Sequence, residues 1–248
     1  MTRMLFREDA YLREAKGIVT AITDEGGIVL DQTIFYPTSG GQPGDSGVIS
    51  WDSGSMEIAT AVKGVGEDVV LVPAEPVALP AVGQSVTQAI TWDRRHRLMR
   101  VHTALHLLSV VIPLPVSGGS IAVEKGRLDF DMPDAPEDKE ALEATINKLI
   151  ACNFTVSDEW ITDADLDANP ELVKTMSVQP PRGSGHIRLV RIGMGENTAD
   201  LQPCGGTHVA NTDEIGLVRI GKIEKKGKQN RRVYLHLVDA GCFGASQV

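Results

Sequence analysis

No run of apolar residues in this chain approaches the roughly 18 that a membrane-spanning helix needs, so such a helix is excluded on length. The opening segment, Met1-Thr-Arg-Met-Leu-Phe-Arg-Glu-Asp9, lacks the apolar stretch of a secretory signal. Cysteine is scarce: Cys152, Cys204 and Cys242 are the whole set. An odd, sparse set argues against a disulfide framework and for a reducing cytoplasm, the compartment a thiolate ligand also needs. Cys152 falls in an apolar helical stretch and reads as a small core residue. Cys242 carries no readable signal. Aromatic residues are few, at 4%, and positive charge is in deficit, with a net charge of −9. That balance speaks against a general nucleic-acid binder. An apolar share of 42% fits a soluble globular protein, and 248 residues suffice for two modest domains or one large one.

The charge that is present is unevenly spread. Arg94, Arg95, Arg97 and Arg100 crowd one segment, and Lys222, Lys225, Lys226, Lys228, Arg231 and Arg232 form a second basic run. Acidic residues concentrate between Asp129 and Asp167. Local basic surfaces can hold phosphates on an acidic protein. The competing reading is solvated faces and a hairpin tip.

Two short motifs carry the chemistry: His102-Thr-Ala-Leu-His106 and Cys204-Gly-Gly-Thr-His208. On a helix, residues four apart share a face, so His102 and His106 can reach one point. The second motif adds a thiolate and a third imidazole. Together His102, His106, Cys204 and His208 make a borderline-soft N/S set that suits Zn²⁺. Either motif alone is cheap; as a pair they predict a metal site that the fold must assemble from distant segments.

Residues 1–90 read as β-rich. Gly17–Thr23, Val69–Val72 and Ser85–Ile90 are short strands bounded by Gly, Asp and Pro, which suggests a small barrel or sandwich. The segment Tyr36–Gly47, with four Gly and two Pro, cannot form a helix or regular strand. It is either an ordinary turn cluster or a loop whose backbone N–H groups face a phosphate or RNA backbone. A helix starts near Thr91 or Trp92. Leu98, Val101, Leu105, Leu108 and Ile112 mark its buried stripe, the two histidines sit at the edge of that stripe, and Pro113 and Pro115 stop it. Next come a strand at Arg127–Asp131 and a helix capped by Asp134, with Pro136 in its first turn. Leu142, Ile146 and Leu149 give that helix its apolar face. A strand follows over Thr155–Ile161, a short helix over Ala164–Met176 and a strand over His186–Ile192. Gly216–Ile223 and Arg231–Val238 form a hairpin around the basic tip Lys225–Asn230. The fold class is therefore α+β: a barrel-like domain over 1–90, then a domain over 91–248 with helices packed on an antiparallel sheet.

These residues also resemble a known family. His102-Thr-Ala-Leu-His-Leu-Leu108, Gln202-Pro-Cys-Gly-Gly-Thr-His-Val209 and Thr212-Asp-Glu-Ile-Gly216 look like the editing domain of alanyl-tRNA synthetase, which has relatives in threonyl-tRNA synthetase. Phe35–Gly47 is similar to the glycine-rich segment that precedes that domain, and Trp92–Val101 matches the lead into its helix. The aminoacylation part is missing, as in the free-standing AlaX editing proteins, whose medium-sized class the length resembles. The resemblance implies ATP-independent hydrolysis of mischarged tRNA(Ala), chiefly Ser-tRNA(Ala), with Gly-tRNA(Ala) a candidate second substrate.

It further implies roles for particular residues. Gln202 is a polar contact to water or the amino acid, and the Gly205 and Gly206 amides are candidate oxyanion donors. Thr103, Ser117 and Ser120 are candidates for reading the serine hydroxyl. Related synthetase domains often carry Gln in the segment aligned with Gly118-Gly-Ser120, where this chain has Gly. Gly40, Gly41, Arg182, Lys225, Lys226 and Lys228 are candidate tRNA contacts. The partner is mischarged tRNA(Ala), with no membrane and no obligate protein partner. Four protein ligands fill a tetrahedron, and such closed sites are usually structural. A structural-zinc tRNA-binding module without turnover therefore stays open, as does a metal hydrolase acting on another ester.

Overall fold

The computed structural model describes residues 1–136, 138–176 and 185–239. The chain falls into two compact units, Met1–Leu98 and Met99–Val248.

The first unit begins with β1 (Arg3–Met4), α1 (Leu5–Glu8), β2 (Glu14–Ile22), β3 (Ile28–Leu30) and β4 (Gln32–Thr33). Then come β5 (Gly47–Trp51), β6 (Gly54–Lys63), β7 (Val69–Pro73) and β8 (Ser85–Ile90). Six of these strands close an antiparallel barrel in the order β2-β3-β7-β6-β5-β8, while β1 and β4 form a separate parallel pair. Alternation explains the closure. On β8, Val86, Gln88 and Ile90 turn inward while Ser85 and Thr87 face out, and on β6 Met56 and Ile58 do the same. Ile28, Leu30, Ile34, Phe35, Ile49 and Leu71 fill the interior. Gln88 is fully buried because its amide is satisfied: Oε1 accepts from Thr33 Oγ1 at 2.6 Å and Nε2 donates to Gln32 O at 3.0 Å.

The arginine cluster of this region is largely committed within the protein. Arg95 is fully buried, donating through Nε to Asp45 at 2.9 Å and through its terminal nitrogens to Ala10 O and Ile34 O. Arg94 donates to Gly44 O at 2.8 Å. Asp45 in turn accepts from Tyr36 N, and Thr38 Oγ1 accepts from Gly44 N. These bonds fix the glycine-rich loop as a built turn. Its tip, Gly40 and Gly41, is exposed, and both residues have the positive φ that glycine tolerates (55° and 81°).

Helix α2 (Trp92–Val111) carries the chain into the second unit. There follow β9 (Val116–Ile121), β10 (Lys125–Asp131), α3 (Lys139–Ala151), β11 (Val156–Ile161), α4 (Asp163–Ala168), β12 (Ile187–Ile192), β13 (Asp200–Pro203), β14 (Val218–Lys225) and β15 (Asn230–Leu237). The antiparallel sheet expected here is two sheets, β14-β15-β10-β9 and β11-β12-β13. The basic hairpin is present as β14–β15. Gly126 on β10 marks where α2 crosses the first sheet: a Cβ there would lie 2.7 Å from Val101 Cγ1 and 2.9 Å from Leu105 Cδ1. Helix α2 is buried on every side from Val101 to Ser109, not along one stripe. The expected apolar positions form one face, and His102, Thr103, His106 and Ser109 form a second, polar buried face.

Three local expectations are corrected. Helix α3 starts later than expected, at Lys139; Asp138 is its cap, accepting from Ala141 N at 2.8 Å, and Asp134 and Pro136 precede it. Its buried residues are Ile146 and Ile150, with Leu142 and Leu149 half-buried. Cys152 is exposed, not core, because it sits at the C-cap beyond the buried face and the chain turns away at Asn153, φ 50°. The helix expected to reach Met176 ends at Ala168. Pro170 lacks the N–H that would extend it and disfavours helical geometry at Asn169, so only a 3-10 turn, Pro170–Leu172, follows. Among the described residues no helix is long and apolar enough to cross a membrane.

Candidate metal centre

Two segments more than 90 residues apart meet at one point. His102 and His106 project from α2 one turn apart, with ring centroids 5.3 Å from each other. Strand β13 ends at Pro203, and the irregular turn after it delivers Cys204 and His208. One ligand atom from each of His102, His106, Cys204 and His208 lies within 4.8 Å of the others. The three histidines are buried, at 6–7% exposure, and Cys204 is half-buried.

Two of the donor separations match those of a tetrahedral ion. Bonds of about 2.3 Å to sulfur and 2.0–2.1 Å to nitrogen set tetrahedral S···N separations of about 3.5 Å. Cys204 Sγ lies 3.5 Å from His102 Nε2 and 3.3 Å from His208 Nε2. Electrostatics favour the ligating forms of Cys204 and His208. Burial alone would raise the Cys204 thiol, but His102 and His208 outweigh it and hold its pKa well below 9.0. Burial, reinforced by His102, holds His208 down to about 3, so that ring is neutral. Burial also opposes charge on His106, yet Asp200 and Cys204 overcome it and raise the group to about 9.

Three of the four donors, His208, His106 and Cys204, are held from behind. Thr103 Oγ1 donates to Met99 O at 3.0 Å and meets His208 Nδ1 at 3.1 Å. Asp200 Oδ2 lies 2.9 Å from His106 Nδ1. Gly206 N–H points at Cys204 Sγ at 3.4 Å. Arg188 on β12 staples the turn, donating to Cys204 O at 2.8 Å and Gly206 O at 2.9 Å while pairing with Asp158 across to β11. Gln202 Nε2 donates to Asp200 Oδ2 at 2.7 Å and to Ser109 Oγ at 3.3 Å, and lies 3.1 Å from His106 Nδ1. Asp200 is also ion-paired to Lys174, and burial, which would raise its carboxyl, is outweighed by His106 and Lys174, which hold it at about 2.

The structure thus brings Gln202, Thr103 and Gly206 to the four donors, though not all in the expected capacity. The Thr103 hydroxyl is fully buried and spent on His208 and backbone, and the Gly206 N–H is spent on sulfur. Gly205 is exposed, with no neighbour within 4 Å of where a Cβ would stand. Ser117 and Ser120 lie on edge strand β9. Ser117 is half-buried and donates to Asp129 O at 3.1 Å; Ser120 is exposed. Gly40 and Gly41 belong to the first unit and the exposed Lys225, Lys226 and Lys228 to the second, with Lys226 paired to Glu224 at 3.4 Å. Arg182 lies outside the described residues.

Sequence reasoning missed Asp200, Lys174 and Arg188. Strand parity carried a signal for the first: Asp200, Gln202 and Cys204 alternate onto one face. For Lys174 and Arg188 the sequence held no comparable signal.

Known proteins bear out the resemblance. The family described as "Threonyl and Alanyl tRNA synthetase second additional domain" matches residues 187–234, and "tRNA synthetases class II (A)" matches residues 9–94. The alanyl-tRNA editing protein AlaX-M of Methanosarcina acetivorans is 34% identical, over 96% of this chain and 100% of that protein. AlaX-M of Pyrococcus horikoshii is 36% identical, over 96% and 98%. The alanine–tRNA ligase of Pyrobaculum arsenaticum is 34% identical over 90% of this chain but only 25% of its own length. The similarity runs end to end with the free-standing proteins and covers one quarter of the ligase: the chain belongs to the AlaX-M family of alanyl-tRNA editing proteins.

Proposed function

We propose that the protein is an aminoacyl-tRNA deacylase that acts in trans, hydrolysing the ester between a wrong amino acid and tRNA(Ala). Ser-tRNA(Ala) is the main substrate and Gly-tRNA(Ala) a second. The observation that carries the reading is the convergence of His102, His106, Cys204 and His208, with the Cys204 sulfur at tetrahedral distances from two of the histidine nitrogens. The N/S donor set favours Zn²⁺, held by these four residues. Bound there, Zn²⁺ supplies Lewis-acid polarisation of an ester carbonyl or a more acidic water.

The chain's own groups do the rest. Of the two glycine amides, Gly205 N–H is the candidate oxyanion donor, since Gly206 N–H is engaged by Cys204. Gln202 offers a polar contact to the aminoacyl group or to water. Ser117 and Ser120 remain candidates for reading the serine hydroxyl, and Thr103 acts there through His208. In functional terms residues 91–248 form the hydrolytic domain. Gly40 and Gly41 in the 1–90 domain, with Lys225, Lys226 and Lys228, contact the tRNA backbone. The protein works in the cytoplasm, where Cys204 stays reduced.

The test is deacylation of Ser-, Gly- and Ala-tRNA(Ala) by purified protein with and without chelator. Chelator-sensitive loss of serine with Ala-tRNA(Ala) spared is the expected result, and His102→Ala or Cys204→Ala loses metal and activity together. Full activity in a metal-free variant overturns the zinc mechanism. Metal bound but no ester cleaved moves the assignment to a structural-zinc tRNA-binding module.

A further inference from the structure

We infer that Asp200 is the positioning residue of this centre, setting the orientation of His106 and of Gln202 at once. The inference rests on reading the four donors as metal ligands, and on no particular ester. The Asp200 side chain is completely buried. One carboxylate oxygen faces the Lys174 ammonium, and the other receives both His106 Nδ1 at 2.9 Å and Gln202 Nε2 at 2.7 Å. A carboxylate paired with a lysine accepts hydrogen bonds and donates none. Two consequences follow.

His106 must keep a proton on Nδ1, so the nitrogen that gives up its proton to face the cluster is Nε2. A second partner commonly fixes a ligating imidazole in this way. Gln202 must turn its NH₂ end toward Asp200. Its other amide proton reaches Ser109 Oγ at 3.3 Å, and Ser109 is committed as an acceptor because its own proton goes to His106 O at 2.7 Å. Gln202 Nε2 also lies 3.1 Å from His106 Nδ1, but both nitrogens turn a proton toward Asp200 Oδ2, so the two amide protons go to Asp200 and Ser109, and Oε1 has no hydrogen-bond partner among the described residues. Asp200 therefore presents Gln202 as an acceptor. The group it suits is an N–H or O–H donor: the ammonium or hydroxyl of an aminoacyl ester, or a water. The sheet makes the arrangement possible, because residues 200 and 202 share one face of β13 while Lys174 approaches from the segment after the Pro170–Leu172 turn.

Asp200→Asn keeps the shape and puts a donor where two donors arrive. The measurements are zinc affinity by competition with a chromophoric chelator, the His106 tautomer by ¹⁵N NMR, and the visible spectrum of the cobalt(II)-substituted protein. Affinity is expected to fall about 10–100-fold, the Nδ1–H form to be lost and the cobalt spectrum to shift, with partial recovery in Asp200→Glu. A structural role alone would lower the melting temperature and leave affinity and tautomer unchanged in the folded protein, and that result overturns the inference. Should Asp200→Asn fail to fold, Asp200→Glu and Lys174→Met carry the same measurements, and wild-type zinc affinity in both overturns it. None of these readouts uses tRNA, so a wild-type protein that cleaves no aminoacyl-tRNA removes the proposed function and leaves this inference standing.

Discussion

Replacing Thr103 with valine separates two roles that the sequence alone could not tell apart. A threonine hydroxyl has one proton and two acceptor sites. In this protein all three are used: the proton goes to Met99 O at 3.0 Å, and the oxygen accepts from His208 Nδ1 at 3.1 Å and from Val209 N at 3.3 Å. Valine has the same shape and none of these capacities, and the site is fully buried. Two donors would be left without partners at about 1–3 kcal/mol each. The 3.3 Å bond is the weaker, so a total loss of roughly 2–4 kcal/mol is expected from the same range. Freed from Thr103, the His208 ring can also turn or change tautomer, and zinc affinity is expected to fall about 10–100-fold. Urea unfolding of the metal-free protein reads the first quantity, and chelator competition the second. Thr103→Ser keeps the hydroxyl and should retain most of both. If Thr103 instead reads the substrate, Thr103→Val would change KM or amino-acid selectivity with zinc affinity intact. That outcome, or a stability change below about 0.5 kcal/mol, the level of an ordinary surface substitution, refutes the reasoning.

Other perturbations probe the fold and the proposed RNA contacts. Arg95→Met leaves Asp45 buried without its partner and should cost about 3–5 kcal/mol in urea unfolding; a near-neutral result would show that the pair is not needed to hold the loop. Asp129 lies between Arg127 and Arg232, and although its burial opposes charge, Arg232 and Arg127 hold its pKa below the ordinary 3.8. Its contribution is present above that value and lost as pH falls through the depressed one, so Asp129→Asn should flatten the acid limb of a stability–pH profile below about pH 4. An unchanged limb means the pairing is the same in the unfolded chain. Substituting Lys225, Lys226 and Lys228 by alanine should weaken tRNA binding at low salt and reduce the log–log salt slope by about 1 for each phosphate no longer neutralised. A wild-type slope removes the hairpin tip from the interface.

Much of the fold was legible because local pattern and tertiary environment agreed. Val86, Gln88 and Ile90 alternate as a barrel strand should, and the hairpin turns where basic and polar residues cluster. The places that escaped were decided by long-range partners. Arg95 looks like one cation among four in sequence, yet it is the fully buried one, because Asp45 and two carbonyls converge on it. Cys152 continues an apolar helical stretch, and only the C-cap and the turn at Asn153 expose it. Asp138 and Asp134 are equivalent as caps by composition; the structure selects the former through Ala141 N. At the site, the clustering of His102, His106, Cys204 and His208 could be read because metal chemistry demands particular side chains at fixed spacing. Their supports could not, because a hydroxyl such as that of Thr103 or an ammonium such as that of Lys174 acquires its role only from what the fold sets beside it.

Four protein ligands ordinarily make a closed site, so the route by which an ester reaches the cluster matters. A cavity of about 670 Å³ borders Ser109, Lys174 and Ala199, but none of the four donors lines it. Of its lining residues, Lys174 pairs with Asp200 and Ser109 accepts from Gln202. The three histidines are almost without exposure, whereas Cys204 is half-buried and Gly205 is exposed with empty space where a side chain would be. The exposed residue nearest the donors is therefore Gly205, and the proposed function predicts that the substrate approaches over it. Gly205 has no positive φ and no close neighbour, so Gly205→Val should fold, bind zinc and melt like the wild type. Its isopropyl group would stand in the approach path, and kcat/KM for deacylation should fall at least tenfold, equivalent to about 1.4 kcal/mol of lost transition-state stabilisation. Wild-type turnover in a zinc-loaded Gly205→Val protein would place the approach elsewhere and take Gly205 out of the candidate catalytic groups.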